Sequence, residues 1–236
     1  MNQLLTPVER KERIKEERNL ILKFLRYETY THIEIVKILI NVSSVQAAHQ
    51  TLNKMIRDKL IKKAQIDVSY GRSISLFGIT NNGLAHAFDL DEKFENRPTF
   101  QPSKVKSTML QHKVQVQMFI VKSIEYGYSN VINADLLNLR KSECKVPDLT
   151  ANMKGRVIAV EIELTIKSRK RYADIVVSHL LSIKNGQWDE VHYIVPTNDF
   201  KSRLERVFKS IKSVPYKNKK IELTDQHLCK FKFFTY

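Results

Sequence analysis

The sequence is poor in cysteine, in glycine and in long apolar runs, and each shortage excludes a class of protein. Its two cysteines, Cys144 and Cys229, make neither a disulfide framework nor a zinc site. Six glycines in 236 residues leave no phosphate-cradling glycine loop, which argues against nucleotide hydrolysis. No run approaches the roughly 20 apolar residues of a membrane helix, and the start of the chain, charged from Glu9 onward, has no apolar signal segment. We therefore expect a soluble protein of a reducing, cytoplasmic compartment, without membrane insertion.

Positive charge is in large excess. The chain has 40 Lys and Arg against 25 Asp and Glu, a formal net charge of +15, and its hydrophobic fraction of 42% is enough for a core. The net charge is +4 over residues 1–100 and +11 over residues 101–236. A surface this basic concentrates polyanions, of which nucleic acid is the commonest. The composition predicts nucleic-acid binding, although a ribosomal or merely soluble basic protein has the same excess.

A polar segment at 89–106 carries two prolines and lacks helical or strand periodicity. It predicts two domains, 1–95 and 96–236. The first is predicted to hold three helices, a β-hairpin around Ser69 and Tyr70, and a short closing helix. These elements are expected at 11–27, 31–40, 43–60, 61–67 with 74–80, and 81–88. The expected N-caps are Thr31 for the second helix and Ser43 or Ser44 for the third.

Three helices followed by a β-ribbon is the order of a winged helix-turn-helix, whose third helix enters the major groove. Gln and Asn bond bidentately to adenine edges, and Arg and Lys contact guanine or phosphate. We therefore expect DNA contacts from the polar face of the third helix and from the ribbon tip. The residues concerned are Gln46, His49, Gln50, Asn53, Lys54, Arg57 and Arg72. The same residue types also form ordinary solvated faces, and winged helices also bind proteins.

In the second part, strands alternate with helices, which predicts a mixed α/β sheet flanked by helices. The run RVIAVEIELT, residues 156–165, is apolar on both faces until Glu161 and Glu163 appear. Such a run is typical of a central, buried strand. Buried carboxylates are usually paired with a cation or bound to a metal ion, so this strand is the first place to look for chemistry.

Asp148 supplies a third carboxylate. A two-residue turn at 154–155 sets Asp148 opposite Glu161, and directly opposed side chains lie about 5 Å apart. A turn centred one residue further along sets it opposite Glu163 instead. Three hard oxygen donors this close favour Mg²⁺ or Mn²⁺ over zinc. We therefore expect Asp148, Glu161 and Glu163 to bind a divalent metal ion.

Basic side chains follow this strand. Lys167, at the start of the next helix, is expected to reach back to a scissile phosphate or to the attacking water. Three further cations, Arg169, Lys170 and Arg171, crowd the region where phosphate would lie. Tyr172 is expected to face the same cleft.

The order Pro-Asp, Glu-x-Glu, Lys resembles the PD-(D/E)XK nuclease superfamily, with the usual third-strand lysine replaced by Glu163. Some members of that superfamily carry the lysine on the following helix, where Lys167 is expected. The longer string resembles the MobC-type plasmid mobilisation relaxases and the related replication-relaxation proteins. It consists of Asp148, Glu161, Glu163, Lys167 and Tyr172. That family pairs an N-terminal winged helix with a nuclease-like core, so the resemblance covers most of the chain.

The resemblance implies an α+β protein, a winged helix-turn-helix followed by a restriction-endonuclease-like mixed sheet flanked by helices. It implies a bacterial, metal-dependent, strand-specific endonuclease that nicks a plasmid origin of transfer for conjugative mobilisation. A helper or coupling protein of the mobilisation machinery is a further candidate partner. The alternative is a non-catalytic DNA-binding protein, either a replication initiator or a relaxosome accessory factor. A transcription regulator is disfavoured because it leaves the buried carboxylates unexplained.

The nucleophile is open between two candidates. Relaxases of the commoner kind attack with a tyrosine, which would be Tyr172 here, and stay attached to the DNA. The carboxylate and lysine side chains already supply what hydrolysis needs, and a tyrosine with a pKa near 10 needs extra activation. We therefore favour water, with Tyr172 orienting water or phosphate. His179 and His192 are isolated in the sequence and receive no role.

Overall fold

The computed structural model describes residues 6–68, 71–133, 136, 145–217 and 219–235. These residues form a mixed α/β structure with three sheets. The chain divides into two compact units, Met1–Val121 and Lys122–Tyr236. Three residues discussed above lie outside the described residues. They are Ser69 and Tyr70 of the predicted hairpin turn, and Cys144. Within the described ranges, no helix combines the length and apolar character needed to cross a membrane.

The first unit contains a three-stranded sheet of order β1-β3-β2, four helices within its first 85 residues, and nearly all of a fifth helix described below. The elements are α1 (Pro7–Glu28), β1 (Tyr30–His32), α2 (Ile33–Leu39), α3 (Val45–Arg57), β2 (Ile61–Val68), β3 (Arg72–Ile79) and α4 (Asn81–Ala85). The predicted order of three helices, hairpin and short helix is confirmed, whereas β1 was not predicted. Ala48, Leu52 and Met55 of α3 are buried in the core, which leaves the opposite, polar face of this helix at the surface.

The predicted N-cap of the second helix is wrong. Thr31 lies in β1, opposite Phe77 of β3, and its hydroxyl donates to Gln117 Oε1 at 2.9 Å. The strand pairing keeps the backbone extended for one more residue, so His32 becomes the cap and its Nδ1 accepts from the Glu34 N–H. The cap of α3 is Ser44, one of the two predicted candidates, whose Oγ accepts from the Ala47 N–H at 3.1 Å.

The division between the units lies 26 residues beyond the predicted boundary between 95 and 96. The Phe100 N–H donates to the Ile79 carbonyl at 3.0 Å, and the Phe100 ring packs against Tyr30 at 5.4 Å. Further along, helix α5 (Ser107–Lys122) places Gln117 within 3.0 Å of Glu28. These contacts attach residues 96–121 to the first unit, although the predicted linker, residues 89–106, lacks regular structure apart from a short 3-10 turn at Pro102–Lys104.

The second unit is built on a five-stranded sheet of order β10-β7-β6-β5-β4. The strands are β4 (Ser129–Asn133), β5 (Leu149–Met153), β6 (Arg156–Ile162), β7 (Glu190–Val195) and β10 (Phe231–Thr235). The other elements are α6 (Arg169–Lys184), α7 (Asn198–Ser210), the hairpin β8 (Ser213–Tyr216) with β9 (Lys219–Glu222), and α8 (Asp225–Leu228). Strand β6 is central and runs parallel to β7, so its prediction as a buried central strand is confirmed. Strands β8 and β10 were not predicted.

The connection between β5 and β6 is the two-residue turn at Lys154 and Gly155. Both residues have positive φ, 50° and 76°, as a type I′ hairpin turn requires. The turn pairs Met153 with Arg156 at one end of the hairpin. This register confirms the first of the two predicted alignments, and extending it by one residue sets Asp148 opposite Glu161.

Candidate functional site

Three carboxylates meet at the end of strand β6 that lies farthest from the hairpin turn. Asp148 immediately precedes β5, and its Oδ2 accepts from the Ile162 N–H at 2.8 Å. Glu161 is the last residue but one of β6, and Glu163 immediately follows the strand. Only 6% of Glu161 and 4% of Glu163 are exposed, so both carboxylates need compensation for lost hydration.

Glu161 obtains this compensation from two side chains. Its Oε1 accepts from Lys145 Nζ and lies 3.0 Å from His179 Nε2 of α6. Burial alone raises the pKa of Glu161, but the positive charge of Lys145 and the hydrogen bond from His179 outweigh it and lower the pKa to about 2. Glu161 is therefore ionised at neutral pH. His179, which the sequence left without a role, is fully buried against this carboxylate.

Glu163 pairs with Lys167, whose Nζ donates to both carboxylate oxygens. The Lys167 backbone N–H donates to Tyr172 Oη at 3.2 Å. Lys167 lies just before α6 and not in its first turn as predicted, because Ser168 caps the helix and α6 begins at Arg169. Tyr172 is fully buried, and its ring packs against Phe208 at 5.2 Å. Burial raises the pKa of Tyr172, and the charge of Glu163 raises it further. Its hydroxyl is therefore protonated at neutral pH.

Tyr193 of β7 is a site residue that sequence reasoning missed. Parallel pairing places it beside Glu161 in the sheet, and its Oη is buried without a hydrogen-bond partner among the described residues. Burial raises the pKa of Tyr193, as do the charges of Glu161 and Glu163. An unpartnered hydroxyl inside a core is unusual, and here it stands near a group of carboxylates.

The donor set suits a divalent cation in kind, since Mg²⁺ and Mn²⁺ prefer carboxylate oxygen. The described ranges nevertheless contain no group of three or more His, Cys, Asp or Glu arranged to hold a metal ion. The ammonium groups of Lys145 and Lys167 neutralise Glu161 and Glu163 instead. The residues fit the ion in chemistry, and binding would require both lysine side chains to swing away.

The remaining predicted residues lie on α6, on α3 and at the start of β3. Arg169, Lys170 and Arg171 form the exposed first turn of α6. On the polar face of α3, the exposed residues are Gln46, Gln50, Asn53, Lys54 and Arg57. His49 differs from them: it is half-buried, with its ring edge-on to Phe77 at 5.9 Å. Arg72 is exposed at the start of β3.

No family model, curated protein or solved structure matches this chain. The resemblance to plasmid relaxases therefore stays a hypothesis, and a functional assignment depends on the geometry of the site.

Proposed function

We propose that this protein is a divalent-metal-dependent, strand-specific DNA endonuclease, a relaxase that nicks a plasmid origin of transfer. In this proposal residues of the first unit form a winged helix-turn-helix that recognises DNA, and the second unit is a restriction-endonuclease-like core. The main support is the opposition of Asp148 and Glu161 across the β5–β6 hairpin, with Glu163 beside them. Carboxylates placed close together repel one another and need compensating cations; the ammonium groups of Lys145 and Lys167 supply them here, and a divalent ion could take their place.

Each group has a role in phosphodiester hydrolysis. A bound Mg²⁺ or Mn²⁺, held by Asp148, Glu161 and Glu163, would polarise the phosphate and acidify a water. The Lys167 ammonium, once released from Glu163, can donate to a phosphate oxygen. The exposed cations at the start of α6, Arg169 to Arg171, can hold the DNA backbone, because phosphate contacts mainly position a protein.

The test is incubation of the purified full chain with supercoiled plasmid carrying the origin, in Mg²⁺, in Mn²⁺ and in EDTA. The proposal expects nicked circles with either metal and none in EDTA, with the break at one position on one strand. Nicking that persists in EDTA would contradict the metal-dependent reading.

A second candidate, a DNA-binding replication initiator or relaxosome accessory protein without cleavage, is favoured by one observation. Lys145 and Lys167 already neutralise Glu161 and Glu163, as in an ion-pair cluster that only supports the fold. This candidate expects tight, origin-specific binding and no nicking with Mg²⁺ or Mn²⁺.

Replacing Tyr172 with phenylalanine should slow nicking but not abolish it. The ring packing against Phe208 is retained, and only the hydroxyl beside Glu163 and Lys167 is lost. Because burial raises the pKa of Tyr172, this hydroxyl is a poor nucleophile at neutral pH, and water is expected to attack. The measurement is a plasmid nicking time course, with wild-type nicked DNA examined for attached protein after denaturation. A denaturation-resistant adduct that maps to Tyr172 would overturn the water mechanism.

DNA recognition gives a prediction with a matched pair of variants. Asn53→Ala, on the exposed face of α3, should weaken binding to an origin duplex by about 1–3 kcal/mol and leave a scrambled duplex nearly unaffected. Lys170→Ala, on α6, should weaken binding to both duplexes alike and reduce the slope of log affinity against log salt by about 1. Fluorescence anisotropy over a salt series measures both effects. Equal losses on the two duplexes for Asn53→Ala would refute base recognition by α3.

A further inference from the structure

A cavity lined by charged and aromatic side chains lies at the end of the five-stranded sheet opposite to the three carboxylates. Its volume is about 550 Å³, within the range of roughly 300–1,000 Å³ that small-molecule sites occupy. Arg156 and Glu190, which line it, are the first residues of β6 and β7. Glu161 lies five residues further along β6, so the two sites are about 16 Å apart along the strand. The cavity and the carboxylates also lie on opposite faces of the sheet. Glu190 pairs with Ile158, which is three residues from Glu161, and side chains alternate between the two faces along a strand.

The cavity has an excess of positive charge. Glu190 is 5% exposed. Its Oε1 forms an ion pair with Arg156 Nη1, and its Oε2 forms one with Lys232 Nζ at 2.7 Å. Lys154 on the hairpin turn also lines the cavity. The neighbouring Asp189 does not line it and instead accepts from the Val157 N–H at 2.8 Å. The side chains of Arg156 and Lys232 are 59% and 44% exposed, so both present further donors to a bound anion.

A buried hydrogen-bond chain holds these cations in position. Glu190 Oε2 lies 3.3 Å from His192 Nε2, and His192 Nδ1 lies 2.7 Å from Tyr128 Oη. Burial lowers the pKa of His192, so the ring is neutral and carries a single N–H. Tyr128 then donates to Nδ1, and Nε2 donates to Glu190. A fixed carboxylate fixes Arg156 and Lys232 in turn, which reduces the entropy lost when a ligand binds.

Aromatic side chains line the same cavity. Phe234 is 39% exposed, and its ring rests on His192 at a centroid distance of 4.9 Å. Tyr126, also in the lining, is half-buried. An exposed aromatic ring beside fixed cations is the combination that binds a nucleobase by stacking and its phosphate by charge.

We propose that this cavity binds a nucleotide, with its base against Phe234 and Tyr126 and its phosphate on Arg156, Lys154 and Lys232. The nucleotide comes either from a free nucleoside phosphate or from a single strand of DNA. The site is separate from the carboxylates, so it does not require that the protein cleave DNA.

The test is calorimetric titration of the full chain, in EDTA and about 0.15 M salt, with three probes: ATP, a 5′-phosphorylated thymidine pentamer and inorganic phosphate. One-to-one binding of ATP identifies a free nucleotide as the ligand, and binding of the pentamer alone identifies a strand. In either case Arg156→Gln and Phe234→Leu should each weaken binding at least about tenfold. Arg203→Gln is the matched control, since that arginine on α7 has a similar side-chain exposure of 57%, and it should leave the affinity unchanged.

Thermal melting of each variant separates loss of binding from loss of fold. If Arg156→Gln melts early because Glu190 loses a partner, the half-exposed Phe234→Leu decides. Binding of neither ATP nor pentamer overturns the proposal. So does unchanged affinity in a folded Phe234→Leu variant, and so does inorganic phosphate binding as tightly as the nucleotide, because no base is then recognised.

Discussion

Replacing Glu161 with glutamine is expected to reduce nicking of supercoiled origin DNA at least about a hundredfold, while origin binding in EDTA stays near the wild-type value. The side chain keeps its shape and loses its charge. Glu161 faces Asp148 across the hairpin and is ionised because Lys145 and His179 stabilise the anion. A neutral amide at this position cannot balance the charge of a divalent ion. The readout is the rate of nicked-circle formation in Mg²⁺, with anisotropy measured in parallel.

Asp148→Asn should behave in the same way, and the double variant should be little slower than either single one, because residues that act as a unit are not additive. Glu222→Gln is the matched control, since Glu222 is exposed on β9, and it should nick at the wild-type rate. Near-normal nicking by folded Asp148→Asn or Glu161→Gln would show that these carboxylates are not the catalytic site.

The second unit is expected to lose stability steeply as the pH falls from about 4.5 towards 2. The pKa of Glu161 is lowered in the folded state from 4.5 to about 2. A carboxylate whose pKa is lower in the folded state stabilises that state fully when the pH is above its unfolded-state pKa. The contribution is lost as the pH falls through the folded-state pKa. The difference corresponds to about 3 kcal/mol. Glu190, whose lowered pKa depends on Lys232 and His192 although burial opposes it, adds to the effect in the same direction.

Urea unfolding at pH 7, 4.5 and 3 tests this expectation. The single tryptophan, Trp188, is buried in the core of the second unit, so its fluorescence reports on that unit. Glu161→Gln should be less stable than the wild type at pH 7 and should show a flatter pH profile, whereas Glu222→Gln should follow the wild-type profile. A Glu161→Gln profile as steep as that of the wild type would mean that other groups carry the acid sensitivity.

The part of the site that could be predicted from sequence is the part that local rules determine. The β5–β6 hairpin has an apolar central strand, a turn containing Gly155 and a side-chain alternation of period two, which together align Asp148 with Glu161. Lys167 and Tyr172 follow Glu163 by four and nine residues, so their closeness to Glu163 also depends on a short stretch of sequence.

The missed partners depend on packing between elements that are distant in sequence. His179 reaches Glu161 only because α6 packs on β6, and Tyr193 lies beside Glu161 only because of the parallel register of β6 and β7. No local pattern encodes either contact. The division between the units falls beyond the predicted boundary for a similar reason, because Phe100 attaches an irregular segment to β3 by a backbone hydrogen bond and to Tyr30 of β1 by a ring contact.

The two-residue turn at Lys154 and Gly155 makes the site sensitive to chain length. Asp148 and Glu161 are neighbours only because the hairpin arms between them have matching lengths. Inserting one residue within an arm would turn Asp148 to the opposite face of the sheet, since strand side chains alternate with a period of two. Homologous hairpins that diverge in turn sequence can therefore keep this carboxylate pair, whereas those that gain or lose a single arm residue must lose it.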